Sequence, residues 1–411
     1  MTTRQFTRRS RTRRLILLLV ALVGISLLAV FHFLPGRLGA GYNRIDGKPL
    51  IPVSAQAEAL HRTLTIVDLH ADSLMWKRDL LSRGGWGHVD LPRLEQGNVA
   101  LQVFSSVTKS PHGLNYDRNS AGARDDISEI AVVQLQPIAT WSSLLQRSLF
   151  HAAKLDDAVR RSKGALVKVA GDPSLADLLR RRAAEPGGRP VGAMLSVEGL
   201  HDLEGKLGNV DRLYKAGFRM ASLTHFFDNE VAGSMHGEAK GGLTPFGRQV
   251  VRRMEDMGMI VDVAHCSHSC VADVLAMARR PVVSSHGGVQ ATCKVNRNLT
   301  DDEIRGIART GGVIGIGYWD AAICGTSPRA AAKAMRHVRD LVGIQYVALG
   351  SDFDGATTMR FDTSQLVQIT QALMDEGFSV DEIRAAMGGN ALRVIAAGLR
   401  PLGQINLTSA R

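Results

Sequence analysis

The sequence predicts an α/β fold, a (β/α)8 TIM-like barrel preceded by one transmembrane helix. Three observations carry this expectation. Eight short, mostly apolar runs recur between residues 63 and 353, helical stretches separate them, and twenty positions without a formal charge stand near the N-terminus. Strand followed by helix, repeated in this way, predicts a parallel sheet closed on itself.

The chain has 411 residues, a length that α/β barrels reach without splitting into domains. Residues 1–14 form a basic tail with Arg4, Arg8, Arg9, Arg11, Arg13 and Arg14 and no acidic residue. Residues 15–34, LILLLVALVGISLLAVFHFL, match the ~20 apolar residues that cross a bilayer as a helix. The run is too long for a signal-peptide core and no A-x-A-like site follows closely, so an uncleaved signal anchor is expected. A twin-arginine export signal and a buried soluble helix are the alternatives. The positive-inside rule keeps the tail in the cytoplasm and puts everything after Pro35 on the other side. Residues 35–60 read as a polar linker and 61–411 as the barrel domain.

Within that domain the runs are TLTIVDLH (63–70), VALQVFSSV (99–107), AMLSVEG (193–199), MASLTH (220–225), MIVDVAH (259–265), VVSSHG (282–287), VIGIGYW (313–319) and VALGSDF (347–353). Several are apolar nearly throughout, as strands covered on both faces are. Helices are expected at 210–217, 244–258, 268–279, 300–310 and 328–342, with Thr300 and Glu303 as a capping box on the fourth. The second connection, about 108–192, is far longer than a barrel needs. It contains the helical DPSLADLLRRRAAE and reads as an insertion over one end. SVDEIRAAMGGNALRVIAAGL adds a helix or two beyond the last strand.

A hydrophobic content of 45% with 22% charged residues belongs to a globular protein with a large core. The net charge of +11 lies largely in the tail. Without those six arginines about +5 remains, with no basic stripe interleaved with aromatics, so nucleic-acid binding is not expected. Cys266, Cys270, Cys293 and Cys324 are too few and too clustered for a disulfide scaffold. An exported domain could oxidise a pair, and the spacing does not say which. The lack of C-x-x-C excludes a zinc ribbon.

Side chains at the C-terminal ends of barrel strands surround the active site. The first run delivers His70 and Asp72, which share a side of the strand as positions i and i+2. The third ends in Glu198, the fourth in His225, the fifth in His265, the sixth in His286 and the eighth in Asp352. Singly, each could be an ordinary core or loop residue; together they converge on one rim. Imidazole and carboxylate without thiolate suit zinc or a similar first-row divalent ion. Five ligands exceed what one catalytic zinc uses, but suit two ions about 3.5–4 Å apart. On this reading His70 and Asp72 hold one ion, His265 and His286 the other, and Glu198 bridges. Cys266 is expected to point away and pack, and His88, His201, His236 and His268 to pack or tune. The glycines of GGVIGIGYWD fall inside the seventh run, not between strand and helix, so no nucleotide loop is expected there.

The set VDLHADSLMW, SVEGLHDL, LTHFFDN, LTPFGRQVVRRMEDMGMIVDVAH, SSHGGVQATCKVNRNLTDDE, GSDFDG and GGNALRV, in this order over about residues 60–398, resembles the membrane dipeptidase family. That family, renal dipeptidase and its bacterial relatives, comprises zinc peptidases on an amidohydrolase-like barrel. The resemblance implies two Zn2+ per chain on His70, Asp72, Glu198, His265 and His286. It implies that His225 contacts the substrate and polarises the scissile carbonyl, that Arg297 holds the substrate's carboxylate, and that Asp352 is the acid/base residue with Asp354 behind it. A homodimer is implied by the resemblance alone. Vertebrate members carry a C-terminal lipid anchor, whereas this chain ends in the polar LGQINLTSAR.

The expected function is zinc-dependent hydrolysis of dipeptides by a metal-bridging hydroxide. Asp352 would take the proton of the attacking water and return it to the departing amine. Arg297 would offer a planar fork to a free α-carboxylate. The alternatives are another binuclear-metal amidohydrolase activity, on a lactone, cyclic amide or β-lactam, and a non-catalytic peptide-binding barrel. The expected location is a bacterial inner membrane, single-pass, with the catalytic domain on the periplasmic side.

Overall fold

Eight parallel strands close into the expected barrel: β1 (Ile66–Ala71), β2 (Val99–Val107), β3 (Val191–Glu198), β4 (Phe218–Ser222), β5 (Ile260–Asp262), β6 (Val283–Ser284), β7 (Val313–Ile316) and β8 (Val347–Leu349). The computed structural model describes residues 3–184 and 189–400. The polar end LGQINLTSAR and the first two residues of the basic tail lie outside the described residues. Each strand pairs with its neighbour in sequence, and Leu349 opposite Asp68 closes the ring between β8 and β1. β1, β2 and β3 are buried at every position, which is why their sequences carry no clean alternation.

The expected helices form at Gly208–Ala216, Pro245–Met257, His268–Met277, Asp301–Arg309 and Pro328–Val342. The capping box is present: Glu303 N–H donates to Thr300 Oγ1, and Thr300 N–H donates to the Glu303 carboxylate at 2.8 Å. After β8, Val380–Arg384 and Asn390–Gly398 flank a π turn at Ala385–Gly389. Gly388 abuts the Thr65 carbonyl so closely that a Cβ has no room, which brings this turn against the start of β1.

The long second connection holds Asp126–Val133, Ala139–Ser142, Leu144–Arg161 and Asp172–Ala184. It also holds a strand absent from the sequence expectation, Leu166–Lys168, paired with the first residues of β3. Three residues are too short for a period to register. The fully buried Arg147 pins the insertion to the barrel rim, donating to the Thr108 carbonyl, to Asp125 at 2.8 Å and to Ser128 Oγ at 2.9 Å.

Residues 35–60 depart from the linker expectation. The apolar helix runs from Thr3 through Pro35 to Tyr42, and Arg44–Ile45 pairs with Thr358–Met359. A further helix, Ala55–His61, is capped by Ser54, whose N–H and hydroxyl both donate to Gln371. The polarity that suggested a solvated linker instead serves hydrogen bonds to the barrel.

Candidate active site

The C-terminal ends of the strands gather every residue of the expected constellation. His70 and Glu198 are still within β1 and β3, and the others sit one to three residues past a strand end. Asp72 N–H donates to the Phe353 carbonyl at 2.9 Å, tying the exit of β1 to the loop that carries Asp352. His265 and Asp352 have left-handed backbones, with φ of 65° and 60°. For residues with a Cβ that conformation is strained, and here it turns both side chains into the ring.

Glu198 stands at the centre. Its Oε1 lies 2.9 Å from His265 Nε2, 3.2 Å from His286 Nε2 and 3.7 Å from His225 Nε2. Its Oε2 faces the other way, 3.5 Å from His70 Nε2, which is 3.3 Å from Asp72 Oδ2 and 4.0 Å from Asp352 Oδ1. The carboxylate therefore touches both the His265–His286 pair and the His70–Asp72 pair. Among the described residues, three groups hold ligand atoms within 4.8 Å of one another: His70–Glu198–His286, Glu198–His225–His265 and His70–Asp72–Asp352.

These donors fit divalent cations. Asp72 Oδ1 is buried without a hydrogen-bond partner, and the Nε2 atoms of His265 and His286 meet at 3.0 Å. His286 Nδ1 lies 2.9 Å from Ser285 Oγ, which itself donates to Asp262. With Nδ1 as the donor, the imidazole keeps a bare Nε2 lone pair directed at Glu198. No thiolate intrudes: Cys266 is buried against Cys270.

The charges of the ring act on one another. Burial, with Asp72 and Glu198 close by, pushes Asp352 well above the usual carboxylate range against the pull of His70 and Arg297. Against burial, His225 and His70 and the hydrogen bonds of His265 and His286 hold Glu198 well below that range. Burial and Arg297 push His265 well down, and burial and His70 do the same to His286. A bound cation would take over the charge balance these shifts express.

The ring opens into a cleft of about 300 Å³ that Asp72, Glu198, His225, His265, Arg297 and Asp352 all line. Arg297 is 3% exposed, donates from Nη2 to the His286 carbonyl at 2.9 Å and lies 5.7 Å from the centre of the Trp319 ring. A disulfide, Cys293–Cys324, links the loop bearing Arg297 to the segment after Trp319. His225 Nδ1 donates to the Lys109 carbonyl at 2.8 Å, which leaves its Nε2 facing the cleft.

Comparison with known proteins gives the family. The model of the membrane dipeptidase family, peptidase family M19, matches residues 54–399. The chain belongs to that family. A dipeptidase of Aspergillus oryzae, aclJ, is 31% identical over 320 residues, covering 75% of this chain and 70% of its own. The probable dipeptidase PvdM from Pseudomonas aeruginosa superposes with a TM-score of 0.68 at 21% identity, covering 84% of this chain and 98% of its own. A Rhodobacter sphaeroides metallopeptidase, solved with a phosphinate mimic of the dipeptide L-Ala-D-Ala, superposes with a TM-score of 0.66 at 21% identity, covering 82% of this chain and 99% of its own. The family makes this chain a metal-dependent hydrolase of peptide bonds, acting on dipeptides. Its relatives are fungal and bacterial alike, so the family does not carry the bacterial setting read from the sequence.

Other residues of this family member complete the site. Asp262 on β5 accepts from the Ser285 N–H and hydroxyl, and Asp68 on β1 accepts from those of Ser351. Each serine precedes a residue of the ring, His286 or Asp352, so one device orients both. An aspartate inside an apolar strand was the available signal. Trp319 and Tyr116 line the cleft; Trp319 ends the seventh run and could have been found as that run's contribution to the rim. Asp354 faces away, accepting from Ser73, Arg78 and the His88 N–H. His236 donates from Nδ1 to the Tyr116 carbonyl at 2.6 Å, and His268 pairs with Glu303 at 2.7 Å.

Proposed function

We propose that the chain hydrolyses dipeptides with a free α-carboxylate at a centre of two zinc ions, His70 and Asp72 holding one, His265 and His286 the other, and Glu198 both. The observation that carries this reading is the position of Glu198, whose two oxygens face two different donor sets. Bound zinc supplies the Lewis acidity that makes water a nucleophile near neutral pH.

The chain's own residues do the rest. Arg297 receives the substrate's α-carboxylate on its planar fork, while its bond to the His286 carbonyl fixes the distance from that carboxylate to the cut bond. That fixed distance favours dipeptides over longer chains. His225 Nδ1 is engaged by a carbonyl, which can only accept, so donation from Nε2 to the oxygen of the scissile bond requires the doubly protonated ring. Asp352 faces the cleft beside His70 and moves the proton from the attacking water to the departing amine.

Among the described residues one helix is long and apolar enough to cross a membrane, and its side chains Leu15 to Val20, Leu22, Val23, Ile25, Leu28, Val30 and Phe33 are exposed. We infer a single-pass inner-membrane protein of a bacterium with the barrel on the periplasmic side, and a homodimer on the family's precedent. The test of function is amino-acid release by the full chain in detergent from a panel of L–L and L–D dipeptides and their C-terminal amides. Release confined to the free acids supports the reading; equal release from the amides removes Arg297 from it, and no release from either moves the search to lactones, cyclic amides and β-lactams.

A further inference from the structure

One wall of the cleft comes from outside the stretch that matches the family. Helix Thr3–Tyr42 ends on the rim of the site, and Tyr42 lines the cleft. Tyr42 and Asn43 both precede the 54–399 stretch that matches the family. The chain is held firmly on both sides of Tyr42. Gly39 lies against Trp86, where a Cβ would collide with the indole ring. Asn43, 3% exposed, donates to the Gly39 carbonyl and accepts the Ala356 N–H, each at 3.0 Å. Arg44 and Ile45 then pair with Thr358 and Met359. Tyr42 is thereby tied to the loop that follows Asp352, and its ring stacks on Trp76 at 6.0 Å and 29°.

The cleft has a direction. Arg297 sits in the His265–His286 half, bonded to the His286 carbonyl. Tyr42 and Trp76 lie by the loop after Asp352, through Asn43 to the Ala356 N–H and Trp76 Nε1 to the Asp354 carbonyl, and there Gly355 adjoins both Asp72 and Asp352. A dipeptide with its carboxylate on Arg297 and its scissile carbonyl over Glu198 extends its N-terminal residue toward Trp76 and Tyr42. The wall there is apolar: Met75, Trp76, Val107 and Ile127 form one buried cluster that lines the cleft.

We propose that Tyr42 is a specificity-determining residue that packs, with Trp76, against the substrate's N-terminal side chain and selects an apolar one. The proposal rests on the dipeptidase reading above. Its test compares leucyl-alanine and phenylalanyl-alanine with glycyl-alanine on the full chain in detergent, for the wild type, Tyr42→Ala and Tyr42→Phe. The ratio of kcat/KM for leucyl- over glycyl-alanine should fall about tenfold in Tyr42→Ala, the scale on which a hydrophobic pocket discriminates. Tyr42→Phe should keep the wild-type ratio, because the ring face makes the contact. An unchanged ratio in Tyr42→Ala, including equal losses on all three substrates, overturns the assignment and leaves the dipeptidase reading standing. A wild type that turns over none of the three overturns that reading and this inference with it.

Discussion

His265 and His286, from adjacent strands, bring their Nε2 atoms to 3.0 Å of each other, and both lie within 3.2 Å of the same oxygen of Glu198. Two imidazole lone pairs and a carboxylate do not share so small a volume without a proton or a cation between them. On the proposed two-zinc reading, His265→Ala should lower bound zinc from two ions per chain to about one and reduce dipeptide turnover by orders of magnitude. Elemental analysis of the purified variant, with turnover before and after chelation and zinc return, checks both. A full zinc complement in the variant would remove His265 from the ligand set.

Asp352 faces the cleft from a left-handed backbone position. In the proposed role of general acid and base it would contribute to the rate and little to binding. Asp352→Asn should fold, retain its zinc and lose about 10²–10⁴ in kcat with a small change in KM. Steady-state kinetics on one good dipeptide decide it, and a near-normal kcat would assign the proton transfer elsewhere.

In the proposed reading, Arg297 and the substrate carboxylate form a pair whose members can be removed one at a time. Charge-assisted hydrogen bonds of this kind contribute about 1.5–3 kcal/mol, or roughly 10- to 100-fold in kcat/KM. Arg297→Ala should lose that factor on a free dipeptide, and the wild type should lose it on the amide. The variant acting on the amide should lose little more than either alone. Additive losses in that cycle would show that the two do not touch.

Away from the ring, Asp202 is fully buried and accepts from Ser148 Oγ at 2.7 Å. Burial pushes its carboxyl up to about 7. Between the ordinary value near 4 and about 7, the folded chain holds a proton that the unfolded chain has released, so this group's contribution to stability falls as pH rises through that window. Asp202→Asn keeps the shape and removes the dependence. Its advantage over the wild type should grow from about pH 5 to pH 7 and then level off at a few kcal/mol, as read by denaturant unfolding. A difference independent of pH would place the carboxyl in its ordinary range.

Much of the barrel was legible because its signals are local. All eight strands overlap the apolar runs, three of them extending one or two residues beyond, and the Thr300–Glu303 box starts its helix as expected. The linker expectation failed at residues 35–60 because local polarity does not distinguish a side chain in water from one bonded to a distant loop, as Asn43 is to Ala356. Leu166–Lys168 went unseen because three residues carry no measurable period.

The division follows from the range of the forces involved. From the sequence alone came the closed parallel sheet, the membrane-length helix and the identity of the donors at the strand ends, since each depends on chemistry or periodicity within about ten residues. Tertiary structure decided that Glu198 faces two donor sets, that Asp262 and Asp68 orient the neighbours of His286 and Asp352 through serines, and that Cys293 pairs with Cys324. It also decided that Tyr42 enters the cleft. Each of these joins residues brought together only when the ring closes, and no pattern along the chain encodes which distant group will stand opposite.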